Sequence, residues 1–106
     1  MNKPIPFDKA KMTTGAVLIE FYASWCPHCR KMMPIVKEVR ELLGSMAPVY
    51  QYDIDEYPDA ADEAGVSSIP TFIVFDNGRE MWRFTGELSG DELLAQVQAA
   101  MGSYVN

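Results

Sequence analysis

Histidine and cysteine are nearly absent from this chain of 106 residues: it has a single histidine, His28, and two cysteines, Cys26 and Cys29. Two cysteines cannot build the multi-bridge framework that staples small secreted domains. A structural metal site usually takes four ligands, and only Cys26 and Cys29 present themselves clearly. The side chain of His28 between them projects away from any ion they would share, so no bound metal is expected. Basic residues are short as well. Nine Lys and Arg stand against 15 Asp and Glu, and the net charge of −6 makes nucleic acid and anionic membrane surfaces poor partners. No apolar run approaches the roughly 20 residues of a membrane span. The opening stretch, with Pro4 and Pro6, lacks the apolar segment of a secretory signal. The cytoplasm is therefore the expected compartment, or the periplasm if the first residues are a processed or added start.

The composition that remains, 48% hydrophobic and 23% charged, is that of an ordinary globule, and 106 residues suffice for one core without staples. A single domain over 1–106 is expected, and a monomer. There are no repeats, linkers or low-complexity segments.

The scarce residues fall together. Residues 21–31 read Phe-Tyr-Ala-Ser-Trp-Cys-Pro-His-Cys-Arg-Lys. Two thiols separated by two residues can close a small disulfide with little backbone movement. Upstream, 16–22 is an apolar run that suits a strand buried on both faces, interrupted by Glu20. Downstream, 30–43 places Met32, Met33, Val36, Val39, Leu42 and Leu43 at helical spacing, with Arg30, Lys31, Lys37, Glu38 and Glu41 opposite and Pro34 inside. The dithiol thus sits where a strand hands over to a helix. Cys26 lies near the N-cap, and Pro27 suits the first helical position because its missing N–H would be unpaired there anyway. A sulfur at that point faces free backbone N–H groups and the positive end of the helix dipole, which favours thiolate over thiol. Redox chemistry is the reading these residues support.

The remainder of the chain supplies an α/β scaffold. Residues 7–12 allow one or two helical turns, and Gly44 followed by Pro48 ends the long helix. A second strand is expected over 49–55. Pro58 opens a short helix that Gly65 closes. A third strand over 71–75 meets Asn77-Gly78, the strongest short hairpin signal, so 80–85 should return antiparallel. Gly86 ends that strand. Ser89 and Glu92 form a capping box before a last helix carrying Leu93, Leu94, Val97 and Met101. The order is strand, helix, strand, helix, hairpin, helix: a central mixed β-sheet flanked by helices, closing with a C-terminal hairpin plus helix.

Over 17–101 this pattern resembles the thioredoxin family. The resemblance rests on a strand entering Trp25-Cys26-Pro27-His28-Cys29, Pro34 in the following helix, Ile69-Pro70-Thr71 before a hairpin with Gly78 at its turn, and Gly86 beyond it. It implies the thioredoxin fold and a thiol–disulfide oxidoreductase that reduces protein disulfides. Cys26 would attack, and Cys29 would resolve the mixed disulfide. No cofactor is implied beyond the redox-active Cys26–Cys29 disulfide itself. The implied partners are disulfide-containing substrate proteins and a flavin-dependent thioredoxin reductase. Trp25 would shield the thiols and contact substrates. Pro70 would be cis, with its loop against the dithiol and the Ile69 backbone free to pair with an extended substrate strand. Pro27, Ile54 and Gly86 would complete the docking patch, with Met32 at its rim.

The chain departs from the family in four places. Pro27-His28 is the dipeptide of DsbA, the bacterial periplasmic thiol oxidase, although no inserted helical domain is present, which excludes DsbA itself. Glu20 stands where the family has a buried aspartate, Gln51 where a lysine is common, and the N-terminal strand and helix are shortened. A carboxylate in a doubly buried strand is costly when ionised, so Glu20 should hold a proton near neutral pH and could accept one from Cys29. The alternative is an exposed edge residue paired with a lysine. His28 is expected to donate a hydrogen bond to the Cys26 sulfur and, when protonated, to add positive charge, both favouring the reduced form. That dipeptide keeps two other readings open: a more oxidising disulfide oxidase or isomerase, and a non-catalytic binding module that uses the proline groove.

Overall fold

The computed structural model describes residues 3–102. Eight elements follow in order: helix α1 (Phe7–Ala10), strand β1 (Ala16–Tyr22), helix α2 (Pro27–Leu43), strand β2 (Val49–Asp53), helix α3 (Pro58–Ala64), strands β3 (Thr71–Asp76) and β4 (Arg79–Thr85), and helix α4 (Gly90–Gly102). The sheet runs β2-β1-β3-β4. β1 pairs parallel with β2 and antiparallel with β3, and β3 pairs antiparallel with β4, so the sheet is mixed as expected.

Side chains alternate across a strand, and here both faces of β1 are apolar because helices cover both sides. Ala16 and Leu18 pack with Met32, Val36, Val39 and Leu43 of α2 and with Leu93 and Val97 of α4. Val17, Ile19 and Phe21 point the other way, toward Phe7, Tyr52 and Ala61. Phe7 stands edge-on to Phe21, Tyr52 and Phe75, with ring centroids 5.5, 5.9 and 6.1 Å away. Glu20 shares the face of Leu18 and so points to the side that α2 occupies.

Local chemistry sets most boundaries. Asn77 and Gly78 have φ of 52° and 85°, the left-handed pair that a two-residue hairpin needs. Gly65 ends α3 at φ 69°, and its amide is satisfied by Ala61 and Asp62 carbonyls. The Ser89 hydroxyl accepts the Glu92 amide at 3.1 Å, capping α4.

Three expectations need correction. β2 stops at Asp53 rather than running to Asp55. The Asp53 carbonyl takes the amides of Glu56 and Tyr57, and its carboxylate takes the amide of Asp55, which bends the chain out of the sheet. On α2 the buried stripe is Cys29, Met32, Val36, Val39 and Leu43, leaving Met33 and Leu42 half or more exposed. Met33 and Leu42 fall just past the borders of the stripe that meets the sheet. Met32 is fully buried in that stripe, so it is core and not part of the rim of the dithiol. Among the described residues no strand precedes β1, and β2 forms one edge of the sheet.

Candidate active site

Cys26 occupies the N-cap of α2 in extended backbone, and Pro27 takes the first turn. The Cys26 sulfur accepts the Cys29 amide at 3.3 Å, so one of the unpaired donors of the helix start is aimed at the thiol. The turn is tied by the Cys26 amide on the Ala23 carbonyl, 3.2 Å, and by the Arg30 guanidinium on the Ser24 carbonyl, 3.2 Å. Both cysteines are free thiols and both are buried. They sit in a small apolar cluster with Ala23, flanked by Tyr22, Ile54 and Ile69. Burial, then a hydrogen bond with the Cys26 thiol, then the charges of Cys26 and Glu20 push the Cys29 thiol up to about 12, with the Ala23 backbone pulling the other way. Cys29 therefore does not ionise unaided near neutral pH.

Glu20 is almost fully buried, which removes the exposed-edge alternative. It lies opposite Gln51 in the β1–β2 register, and Gln51 Nε2 donates to Glu20 Oε1 at 2.9 Å. Arg40 of α2 continues the chain, donating to Gln51 Oε1 at 2.9 Å and to the Val49 carbonyl at 3.0 Å. Burial pushes the Glu20 carboxyl up to about 7, while the Gln51 hydrogen bond and the Arg40 charge draw it partly back. Two buried groups with protonation ranges pushed far from the ordinary thus share one side of the sheet. A cavity of about 560 Å³ beside β2 is bordered by Tyr22, Arg40, Tyr50 and Gln51, the outer members of this chain, while Glu20 itself stays buried behind them.

The Ile69–Pro70 peptide bond is cis. Pro70 is buried, and its carbonyl accepts the Gly86 amide at 2.8 Å, with Gly86 at φ 116°. That bond fastens the loop before β3 to the end of β4 and sets Ile69 against the thiol cluster. Pro27 is exposed, and Ile54 is half-buried beside the same cluster. Trp25 is 61% exposed, and its indole N–H donates to Asp55 Oδ2 at 2.8 Å. The expected surface residues therefore gather around the thiols, with Gly86 reaching them through Pro70.

His28 differs from expectation. Its Nδ1 lies 2.5 Å from Glu87 Oε2, in the loop between β4 and α4, and the ring is largely exposed. Its hydrogen-bond partner is Glu87 and not the Cys26 sulfur, which instead takes the Cys29 amide. A helical first turn projects its second side chain outward, so the imidazole meets what the tertiary fold brings there. Glu87, Asp55 and Arg40 are the residues that the sequence pattern missed. Only Gly86 beside Glu87, and Gln51 opposite Glu20, hinted at them. Among the described residues no group of three or more His, Cys, Asp or Glu side chains is placed to hold a metal ion, and no helix is long and apolar enough to cross a membrane.

The protein-family model described as Thioredoxin matches residues 4–99. Thioredoxin Y, chloroplastic, of Oryza sativa subsp. japonica is 40% identical over 85 residues, 80% of this chain and 51% of that protein. Thioredoxin of Chlamydia caviae is 37% identical over 86 residues, covering 81% of this chain and 83% of that one. Thioredoxin NaTrxh of Nicotiana alata superposes with a TM-score of 0.78 at 29% identity, covering 89% of this chain and 80% of that one. The chain spans about half the length of the chloroplast relatives it matches.

Proposed function

The chain belongs to the thioredoxin family, and we propose that it is a thiol–disulfide oxidoreductase that reduces disulfides in proteins. The observation that carries this reading is the reduced Cys26 sulfur at the N-cap of α2, with Cys29 buried one turn behind it and the Ile69–Pro70 loop alongside. The Cys29 amide at the helix start is aimed at the Cys26 sulfur, so a thiolate formed there meets a hydrogen-bond donor. That thiolate attacks one sulfur of a substrate disulfide, the substrate S–S bond breaks, and the other sulfur leaves as a thiolate. Cys29 then gives its proton to Glu20, directly or across one water, and attacks Cys26. The substrate departs with both sulfurs reduced, and the Cys26–Cys29 disulfide keeps the oxidising equivalents. Two electrons from a flavin-dependent thioredoxin reductase would restore the dithiol.

Site roles follow from where the groups stand. Glu20 suits proton acceptance because it titrates near neutral pH while Cys29 does not. Trp25, Pro27, Ile54, Ile69, Pro70 and Gly86 supply the substrate surface. The Ile69 backbone offers the edge on which an extended segment can pair. His28 tunes the couple through where its ring is held. We read 1–106 as one domain that acts as a monomer and binds no cofactor. A reducing compartment such as the cytoplasm would keep such a dithiol reduced.

The direct test is reduction of insulin disulfides with dithiothreitol as donor. The chain should accelerate it, Cys26→Ser should abolish the acceleration, and Cys29→Ser should accumulate mixed disulfides through Cys26. A folded chain that gave no acceleration would be a binding module instead. Trapping by Cys26→Ser but not by Cys29→Ser would reverse the two thiol roles.

A further inference from the structure

His28 and Glu87 lie 59 positions apart in sequence, yet they meet beside the dithiol. His28 follows Cys26 by two residues in the first turn of α2, and Glu87 follows Gly86 at the end of β4. Other charged groups nearby are turned elsewhere. Arg30 reaches back to the Ser24 carbonyl, and Asp55 is bonded to the Trp25 indole. Lys31, in the next position on that turn, also faces Glu87, so the carboxylate answers two cations of α2.

The pairing matters because the two redox forms of the protein differ in charge. A thiolate on Cys26 exists only in the reduced protein, and the disulfide has no charge to stabilise. A ring N–H donated to that sulfur therefore favours the reduced form and makes the disulfide a stronger oxidant. A carboxylate at hydrogen-bond distance from the same ring opposes this by taking Nδ1 for itself, away from the sulfur.

We propose that Glu87 is a positioning residue that holds the His28 ring off the Cys26 sulfur, keeping the couple more reducing than the Pro27-His28 dipeptide would otherwise make it. The inference rests on the thiol–disulfide exchange proposed above. It reconciles an oxidase-type dipeptide with a reductase role by a residue outside the dipeptide. Glu87 acts through His28 and touches neither sulfur.

The test is equilibration of the full chain against glutathione buffers at pH 7, comparing Glu87→Ala in the parent and in a His28→Ala background. In the parent, Glu87→Ala should raise the constant for oxidising glutathione by about threefold, in keeping with one exposed hydrogen bond gained by the sulfur. Glu87→Asp, which keeps the charge, should stay near the parent value. In the His28→Ala background, removal of Glu87 should change nothing. An unchanged or lowered constant in the parent overturns the inference. So does an equal rise in both backgrounds, because the carboxylate would then act on the thiols without His28. A chain that forms no reversible Cys26–Cys29 disulfide removes the exchange reading and this inference together; a reversible couple indifferent to Glu87 removes the inference alone.

Discussion

Gln51 donates a hydrogen bond to Glu20 across the β1–β2 pairing, 2.9 Å from nitrogen to oxygen, inside a core that excludes water from the carboxylate. The amide satisfies one carboxyl oxygen without supplying a charge. Glu20 is left able to exist in either protonation state near neutral pH, as an acceptor for Cys29 requires. A full cation in the place of Gln51 would hold it ionised, whereas an apolar residue would hold it protonated.

The first consequence concerns stability. Glu20 is raised from 4.5 to about 7 in the folded chain, so the folded state binds the extra proton between those values. Stability should fall as pH rises from about 4.5 to about 7 and level off above that, by about 3 kcal/mol in all. Glu20→Gln cannot titrate and should lack this fall. Urea unfolding of the reduced proteins at pH 5 and pH 8 measures it, and equal slopes for parent and variant would contradict the buried-acid assignment.

Catalysis offers a separate readout of the same group. Glu20→Ala should slow resolution by Cys29 more than attack by Cys26, since the resolving thiol is pushed up to about 12 and needs an acceptor for its proton. Single-turnover kinetics with a disulfide peptide separate the two steps. A loss of about 10- to 100-fold in resolution is expected, at the low end of general acid–base contributions. Equal slowing of both steps would place Glu20 outside the proton transfer.

Arg40 should set the pH at which this acid works. It reaches Glu20 through Gln51, and its charge draws the carboxyl downward. Arg40→Leu should therefore move the pH profile of the resolution step upward, while Arg40→Lys should leave it closer to the parent. A profile that does not move in Arg40→Leu would mean the Arg40–Gln51 chain is only structural.

Replacing Pro27-His28 with Gly-Pro removes the imidazole near the Cys26 sulfur and should make the couple more reducing. The shift should be modest, because Glu87 already holds the His28 ring off the sulfur. Equilibration of both proteins with glutathione reads it directly. An unchanged midpoint would show that His28 has no part in tuning the dithiol.

A last expectation tests the hairpin. Gly78 has φ +85°, and a Cβ there would come within 2.6 Å of the Met12 sulfur. Gly78→Ala should cost about 1 to 2 kcal/mol, mostly from the left-handed backbone, because the exposed Met12 side chain can move aside. Paired substitution with Met12→Ala should recover little of that loss. Full recovery in the pair would make the clash, and not the backbone, the cause.

What could be read from sequence alone was whatever neighbouring residues impose on one another. Pro27 after Cys26, Pro58 with Gly65, and Asn77-Gly78 each act over a few bonds, so the strand-to-helix placement of the dithiol, the short helix and the hairpin were legible before any packing was known. The apolar run around Glu20 also announced a carboxylate buried on both sides. Packing decided the rest. Met32 lies inside while Met33 and Leu42 lie outside, since a narrow stripe of α2 meets the sheet and helical spacing does not reveal its width. The protonation of Glu20 depends first on its burial and then on Gln51 and Arg40, which only the β1–β2 register and the approach of α2 bring to it. His28 is bound to Glu87 because the end of β4 passes beside the first turn of α2. Such contacts join residues far apart in the chain through the closure of the sheet, and no periodicity or spacing along the sequence carries that information.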